Sequence, residues 1–271
     1  MPRECVVVRD RVSLAATQTG EGTRVVVLLH GLTATRRYVV MGSSVLERSG
    51  HRVIAYDARG HGRSMPAPSS GDYTYEQLAG DLEAVLDAAE IDRAVLAGAS
   101  MGAQTIAAFA LRAPERVAGI MLITPAFDPD RTPPATELAR WDALADGLRH
   151  GGVEGFVAAY GTPRASPAVR ETIIRVIRQR LAEHEHPLAV ADALQTVPRS
   201  RPFESFAQLC ELEVPAIVVA SGDDADPEHP FEVARRYAEA IPGARLLTEE
   251  PGASPLAWQG SRLSHLIAEL S

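Results

Sequence analysis

The chain has 271 residues and 46% hydrophobic content, which suits one large α/β domain or a domain with an insertion. Its formal net charge is −8 and its pI is about 5.5. This acidic balance argues against a nucleic-acid-binding protein, because such proteins normally present a basic stripe.

The two cysteines, Cys5 and Cys210, lie far apart and have neither metal-binding nor redox spacing, which predicts a reduced, cytoplasmic setting. The N-terminal residues lead into a strand pattern without the hydrophobic region of a signal peptide. No apolar run approaches the length that spans a membrane. We expect a small-molecule substrate, no nucleic acid and no membrane span; a homodimer is possible.

Strand and helix patterns alternate as far as residue 123. The predicted strands are two short ones within 4–19, with a turn at Asp10-Arg11, and then 24–29, 52–56, 94–97 and 117–123. The predicted helices are 38–47, 73–89 and 104–112. The run at 24–29 is apolar and rich in β-branched residues, which is typical of a strand buried on both faces. The alternation predicts an α/β fold with a mostly parallel central sheet and helices on both faces.

Residues 129–209 break this rhythm. Helical patterns at 136–149, 153–159 and 167–183 follow one another with no strand pattern between them. We interpret 129–209 as a helical cap inserted into a core made of 1–128 and 210–271. The core pattern then resumes with a strand at 215–220, a helix at 230–240, a strand at 244–248 and a helix at 261–270.

A Gly-x-Ser-x-Gly motif, Gly98-Ala99-Ser100-Met101-Gly102, separates the strand at 94–97 from the next helix. Such a motif predicts a very tight turn that holds the serine backbone in a strained conformation and exposes its hydroxyl above the sheet edge. The following helix directs its N-terminal amides toward the same point. The turn therefore predicts a nucleophile and an anion site together.

Four stretches carry a resemblance to the α/β-hydrolase fold: Leu28 to Leu32 (LLHGL), Tyr56 to Ser64 (YDARGHGRS), the Ser100 motif, and Gly222 to Pro227 (GDDADP). The resemblance implies that Ser100 is the nucleophile. It also implies that the amides of Leu32 and Met101 form the oxyanion hole. Three further residues, His30, His61 and Asp57, are structural in this interpretation.

The acid of the implied triad lies in the turn after the strand at 215–220. Asp224 and Asp226 are the main candidates, with Asp223 less favoured and Asp128 as an outside alternative.

The base departs from the family pattern. The expected Gly-His after the last strand is replaced by Gly252-Ala253-Ser254, and no histidine lies between His229 and His265. His229, just past the acid turn, is the first candidate for a displaced base. A cap histidine (His150, His184 or His186) is the second. The third interpretation is that no base is present, because the protein catalyses a lyase, cyclase or decarboxylase reaction or only binds a ligand.

Other residues concern the substrate. Gly31 and Arg36 belong to the loop after the first buried strand, and an arginine there suits a carboxylate or phosphate. Phe127 and Trp258 are candidates for the pocket wall, and the cap implies a covered, apolar site. No nucleotide motif or metal-ligand cluster is present, so we expect no cofactor and no metal. The favoured function is hydrolysis of a small ester, lactone or thioester through a Ser100 acyl-enzyme with an atypical base.

Overall fold

One eight-stranded sheet organises the computed structural model, which describes residues 2–163, 167–222, 226 and 228–270. The sheet order is β1-β2-β4-β3-β5-β6-β7-β8. The strands are β1 (Arg3–Arg9), β2 (Val12–Thr19), β3 (Arg24–Leu29), β4 (His51–Tyr56), β5 (Ala94–Ala99), β6 (Val117–Ile123), β7 (Ala216–Val219) and β8 (Arg245–Leu247). β1 and β2 are antiparallel to their neighbours, and all pairs from β4 to β8 are parallel. The predicted mostly parallel sheet is therefore confirmed.

Helices cover both faces of this sheet. They are α1 (Val45–Arg48), α2 (Tyr75–Ala88), α3 (Met101–Arg112), α4 (Ala135–Tyr160), α5 (Pro167–Leu181), α6 (Pro187–Thr196), α7 (Phe231–Ala240) and α8 (Gly260–Ala268). Val27 and Leu29 of β3 pack in the apolar cluster that contains α2, α3 and α7, whereas Val26 and Leu28 pack in the cluster that contains α1 and α8. The apolar run of β3 is continuous because both faces are buried.

Three of the helices, α4 to α6, lie between β6 and β7 in the chain and pack together through an apolar cluster of their own. A second cluster joins α6 to the core and includes the side chain of Met101. The side chain of Leu32 packs against both clusters. The inserted helices thus rest on the two residues whose amides the sequence assigns to the oxyanion hole.

Two predicted helices differ from the structure in an instructive way. The helix expected at 38–47 is only a single 3-10 turn, Arg36–Tyr38, followed by the short α1. Met41 and Gly42, with φ of +49° and +75°, interrupt the helix, because positive φ is incompatible with it. The helices expected at 136–149 and 153–159 are the two halves of α4, which break at Gly152 (φ +58°).

The sequence interpretation also missed a helix. α6 starts at Pro187, directly after His186, where the pattern showed only a polar stretch. Proline suits the first position of a helix because its missing N–H would have no partner there. The buried apolar residues of α6 pack among the other inserted helices and against the core, so tertiary contacts stabilise the helix.

Candidate active site

The turn between β5 and α3 holds Ser100 in a strained backbone conformation. Its φ is +49° and its ψ is −112°, which costs about 1–3 kcal/mol for a non-glycine residue. Two glycines allow the close approach: a Cβ on Gly102 would lie 2.3 Å from the Leu29 carbonyl oxygen, and one on Gly98 would lie 2.5 Å from the Gly102 carbonyl carbon. The Ser100 amide donates to the carbonyl of Ile123 at 2.9 Å, which fixes the turn to the neighbouring strand β6.

A chain of hydrogen bonds runs from Ser100 to a histidine and an aspartate. His229 Nε2 lies 3.0 Å from Ser100 Oγ, and His229 Nδ1 lies 2.9 and 3.0 Å from the two carboxylate oxygens of Asp226. An ionised carboxylate only accepts, so Nδ1 carries a proton and Nε2 is free to accept from the Ser100 hydroxyl. The side chains are 14% exposed for Asp226 and 23% for His229, so the arrangement is partly shielded from water.

The aspartate and the histidine belong to one short turn after β7. The Asp226 amide donates to the Gly222 carbonyl at 3.0 Å, and the His229 amide donates to the Asp226 carbonyl at 3.1 Å. A three-residue separation therefore brings both side chains to the same side of the turn. Asp223 and Asp224, the competing acid candidates, lie outside the described residues.

Glu249, just after β8, holds this turn in place through hydrogen bonds. Its Oε1 accepts from the Gly222 amide at 2.6 Å, and its Oε2 accepts from the Leu256 amide at 3.1 Å. Burial opposes ionisation of Glu249, but these amides outweigh it and hold the pKa of the carboxyl below its ordinary value. The sequence analysis missed this residue, although the carboxylates Glu249 and Glu250 at the start of the loop that lacks its expected histidine are a usable signal.

Two backbone amides near Ser100 are available to an anion. Met101 is the first residue of α3, and Leu32 follows Gly31 in the β3 loop (residues 30–38). Gly31 lets this loop approach the tight turn at residues 98–102 (the elbow): a Cβ on Gly31 would lie 3.4 Å from Ser100 Cβ. Within the described residues, neither amide donates to another protein group. Free N–H groups next to a helix N-terminus can stabilise negative charge.

Three histidines of the sequence analysis form a buried cluster (His30, His61 and His184) beside the β3 loop. The ring centroids of His61 lie 5.2 Å from His30 and 5.5 Å from His184. His30 accepts from the Ala58 amide, and His184 accepts from the Gly62 amide while its Nε2 donates to the Thr33 carbonyl. Burial lowers the pKa of all three imidazoles, so they stay neutral and hold loops together.

The other two histidines between β6 and β7, His150 and His186, make no hydrogen bond to Ser100 within the described residues. His150 Nδ1 contacts the Asp146 carbonyl within α4, and His186 occupies the N-cap position of α6 without a side-chain capping hydrogen bond. His265 is exposed on α8. Among the described histidines, His229 is the one whose ring meets Ser100.

The charged residues proposed for substrate or acid roles have protein partners. Arg36 makes an ion pair with the buried Asp57 and another with Glu4, and its amide also donates to Asp57. Arg36 is therefore engaged by protein carboxylates. Asp128 is held by Arg236 at 2.9 Å to each oxygen, which leaves Asp226 as the acid candidate with a histidine partner.

The two aromatic wall candidates have different surroundings. Phe127 packs edge-on against Phe203 with centroids 5.3 Å apart, as part of an aromatic cluster on the core. Trp258 is 39% exposed at the end of a 3-10 turn. Their contact with substrate stays a prediction.

No helix in the described part of the chain is long and apolar enough to cross a bilayer. The described residues also contain no group of three or more His, Cys, Asp or Glu side chains placed to hold a metal ion.

Comparison with known proteins identifies the fold family. A family model for the alpha/beta hydrolase fold matches residues 24–258. The chain belongs to the α/β-hydrolase-fold family. A candidate carbamate hydrolase, RutD, of Pseudomonas savastanoi pv. phaseolicola is 29% identical over 90% of this chain and 93% of that protein.

Two solved structures of hydrolases are similar over nearly the whole chain. The thermophilic esterase of Thermogutta terrifontis, with malate bound, has a TM-score of 0.78 at 26% identity, covering 99% of this chain and 97% of that one. A hydrolase of Pseudomonas aeruginosa PA01 has a TM-score of 0.76 at 28% identity, covering 97% and 98%. These relatives support an enzyme of the hydrolase type that acts on small molecules.

Proposed function

We propose that the protein is a serine hydrolase that cleaves a small ester, lactone or thioester through an acyl-enzyme on Ser100. The observation that carries the proposal is the hydrogen-bonded chain from Ser100 Oγ through His229 to Asp226. A serine hydroxyl is a poor nucleophile unless an adjacent base takes its proton, and His229 Nε2 lies within the 2.6–3.2 Å over which a base acts. The esterase and carbamate hydrolase relatives support the same reaction class.

In the first half of the reaction, Ser100 Oγ attacks the carbonyl carbon and its proton passes to His229 Nε2. The carbonyl oxygen becomes an oxyanion, which the amides of Leu32 and Met101 stabilise; one such donor contributes about 2.7–4 kcal/mol. Asp226 keeps His229 in the required tautomer and stabilises the imidazolium. The bond to the leaving group then breaks, and His229 returns the proton to the departing oxygen or sulfur.

In the second half, a water molecule attacks the acyl carbon. His229 takes a proton from this water, the bond to Ser100 Oγ breaks, and the proton passes back to Ser100. The base thus acts twice from the same position. A non-hydrolytic reaction or ligand binding would not require Ser100 to meet a base, and no comparable observation favours either alternative.

The test is labelling with a fluorophosphonate, read by intact mass, together with hydrolysis of para-nitrophenyl acetate. Wild type should gain one adduct per chain, and Ser100→Ala should gain none and lose turnover, because the nucleophile is absent. Equal labelling or full activity in folded Ser100→Ala would refute the acyl-enzyme mechanism.

Two matched variants distinguish the acid candidates Asp226 and Asp224. Asp226→Asn should lower kcat by about 10²–10⁴-fold, since the amide would favour the wrong imidazole tautomer. Asp224→Asn is the comparison variant and should lose much less. The opposite ranking would transfer the role of the acid to Asp224.

A further inference from the structure

Arg180 is an arginine near the end of α5 whose side chain is largely buried without a carboxylate partner. Its Nε is shielded from solvent and has no hydrogen-bond partner. Its guanidinium lies 5.0 Å from the ring centroid of Tyr38, and the described residues offer it no ion pair. A guanidinium remains charged in proteins, and burying a charge without a partner is costly.

Arg59 shows how this chain otherwise handles a buried arginine. Its side chain is 1% exposed and forms two hydrogen bonds of 2.7 Å with the equally buried Asp81. The carboxylates around Arg180 have other partners instead. Glu183 accepts from Thr35 Oγ1 at 2.7 Å and from the Tyr38 hydroxyl at 2.9 Å, while Asp226 is bound to His229. The buried charge of Arg180 is therefore not balanced by an ion pair with a described carboxylate.

The residues after Arg180 are fixed on the β3 loop. Glu183 binds Thr35 and Tyr38, and His184 Nε2 donates to the Thr33 carbonyl at 3.1 Å. The same loop contacts the elbow through Gly31. These contacts seat the end of α5 directly against the loop that borders Ser100.

The contact with Tyr38 places the guanidinium of Arg180 beside the β3 loop. Burial lowers the pKa of Arg180, whereas Tyr38, Asp226 and Glu183 oppose that shift in this order. The charge of Arg180 in turn contributes to the lowered pKa of His30, after burial and together with other charges. Arg180 is therefore within electrostatic range of both His30, which precedes Gly31, and Asp226, which binds the base.

We infer that Arg180 binds a carboxylate carried by the substrate, so that the natural substrate is an anionic ester, lactone or thioester. This inference rests on the proposed function and specifies its substrate class. The planar guanidinium can donate two parallel hydrogen bonds to a carboxylate, which fixes orientation as well as adding affinity. The apolar surface of the inserted helices would cover the rest of the acyl chain.

The test compares two esters of nearly equal shape. One is the para-nitrophenyl monoester of glutaric acid, and the other is the para-nitrophenyl ester of an uncharged branched acid of the same chain length. The readout is the ratio of the two kcat/KM values after subtraction of the enzyme-free rate. Arg180→Gln should lower the ratio about 10- to 100-fold, mainly through KM for the monoester. Arg180→Lys should give an intermediate ratio, because it keeps the charge but loses the two-pronged geometry.

Arg178→Gln is the matched control, since Arg178 lies on the same helix, is exposed and, within the described residues, forms its ion pair with Glu154. It should leave the ratio as in wild type. Circular dichroism and the unfolding midpoint check that each variant folds. An unchanged ratio in folded Arg180→Gln, or an equal fall in Arg178→Gln, would overturn the inference.

A binding measurement separates this inference from the proposed function. Glutarate is titrated calorimetrically into Ser100→Ala and into the Ser100→Ala, Arg180→Gln double variant. Binding that is at least about tenfold weaker in the double variant supports the carboxylate site. Equal binding, or none in either protein, overturns it. If wild type hydrolyses neither ester, the proposed hydrolase function is refuted. The carboxylate site is still tested in that case, because the titration needs no turnover.

Discussion

Two histidine environments, one in contact with Ser100 and one beside the β3 loop, differ in what surrounds each ring. His229 is 23% exposed in its side chain and connects a carboxylate to the serine hydroxyl. The buried cluster of His30, His61 and His184 is at most 8% exposed and bonds mainly to backbone groups of two loops, those after β3 and β4. An imidazole can exchange protons during turnover only where it reaches both the reacting atom and a group that stabilises its charge.

The comparison indicates that the candidate base is the histidine whose turn brings it to Ser100. In this chain the turn after β7 holds both Asp226 and His229, and the loop after β8 contributes Glu249 as a support. The proposed acid and the proposed base are therefore coupled through one backbone segment instead of two. A disturbance of that segment should affect both.

Of the two histidine environments, removal of the histidine beside Ser100 should have the larger effect. His229→Ala should lower kcat by about 10³-fold or more, equivalent to about 4 kcal/mol, because Ser100 loses its base. Turnover of para-nitrophenyl acetate by stopped-flow absorbance measures it. His265→Ala, which changes an exposed histidine on α8, is the control and should stay within about twofold of wild type. A loss of less than tenfold in His229→Ala would remove His229 from the mechanism.

Removal of Glu249, which holds the turn after β7 in place, should have a smaller effect on turnover than removal of His229. Glu249→Ala removes the acceptor of the Gly222 and Leu256 amides and should lower kcat about 10- to 100-fold with little change in KM, since small misplacements of catalytic groups are costly. Glu249→Gln keeps one acceptor oxygen and should recover part of the loss. Steady-state kinetics on the same ester gives both constants.

Glu250→Ala is the matched control for this variant, because the neighbouring Glu250 is exposed. A purely structural role for Glu249 would instead lower the unfolding midpoint and leave kcat of the folded fraction unchanged. That result would contradict its positioning of the β7 turn.

The buried cluster predicts the smallest effect, on stability and not on chemistry. Burial holds the pKa of all three imidazoles below the ordinary value near 6.5, so the unfolded chain binds more protons in mild acid. The contribution of these neutral imidazoles to the free energy of unfolding should be fully present above about pH 7. It should be lost as pH decreases below about 6.5, by roughly 1.4 kcal/mol for each unit of pKa difference. Urea denaturation at pH 7.5 and 5.5 measures the loss.

His184→Gln supplies the check on this prediction. Glutamine can still accept from Gly62 and donate to Thr33 but does not titrate, so the pH dependence should shrink; nearby Asp57 and Glu183 are unchanged. His265→Gln should keep the wild-type dependence. Identical pH dependence in His184→Gln and wild type would contradict the assignment of the loss to His184.

The sequence by itself determined the α/β fold, the mostly parallel sheet and the elbow at Ser100. The physical reason is that these features are local. Buried parallel strands need continuous apolar runs such as 24–29, and the tight turn needs small residues at Gly98 and Gly102 within a few positions of the serine. The helix predicted at 38–47 does not form as one helix, because Met41 and Gly42 have positive φ values. Apolar spacing in the sequence does not predict these values.

Only the tertiary structure decided which separated residues meet. The sequence left several acids and several histidines in competition, and it assigned Arg36 to substrate before its pairing with Asp57 and Glu4 was visible. The approach of His229 to Ser100 spans 129 positions, and the support from Glu249 joins loops after two different strands. Such contacts depend on how the sheet aligns its strand ends and on how α5 seats Arg180 against the β3 loop. Neither is encoded in the spacing of residues along the chain.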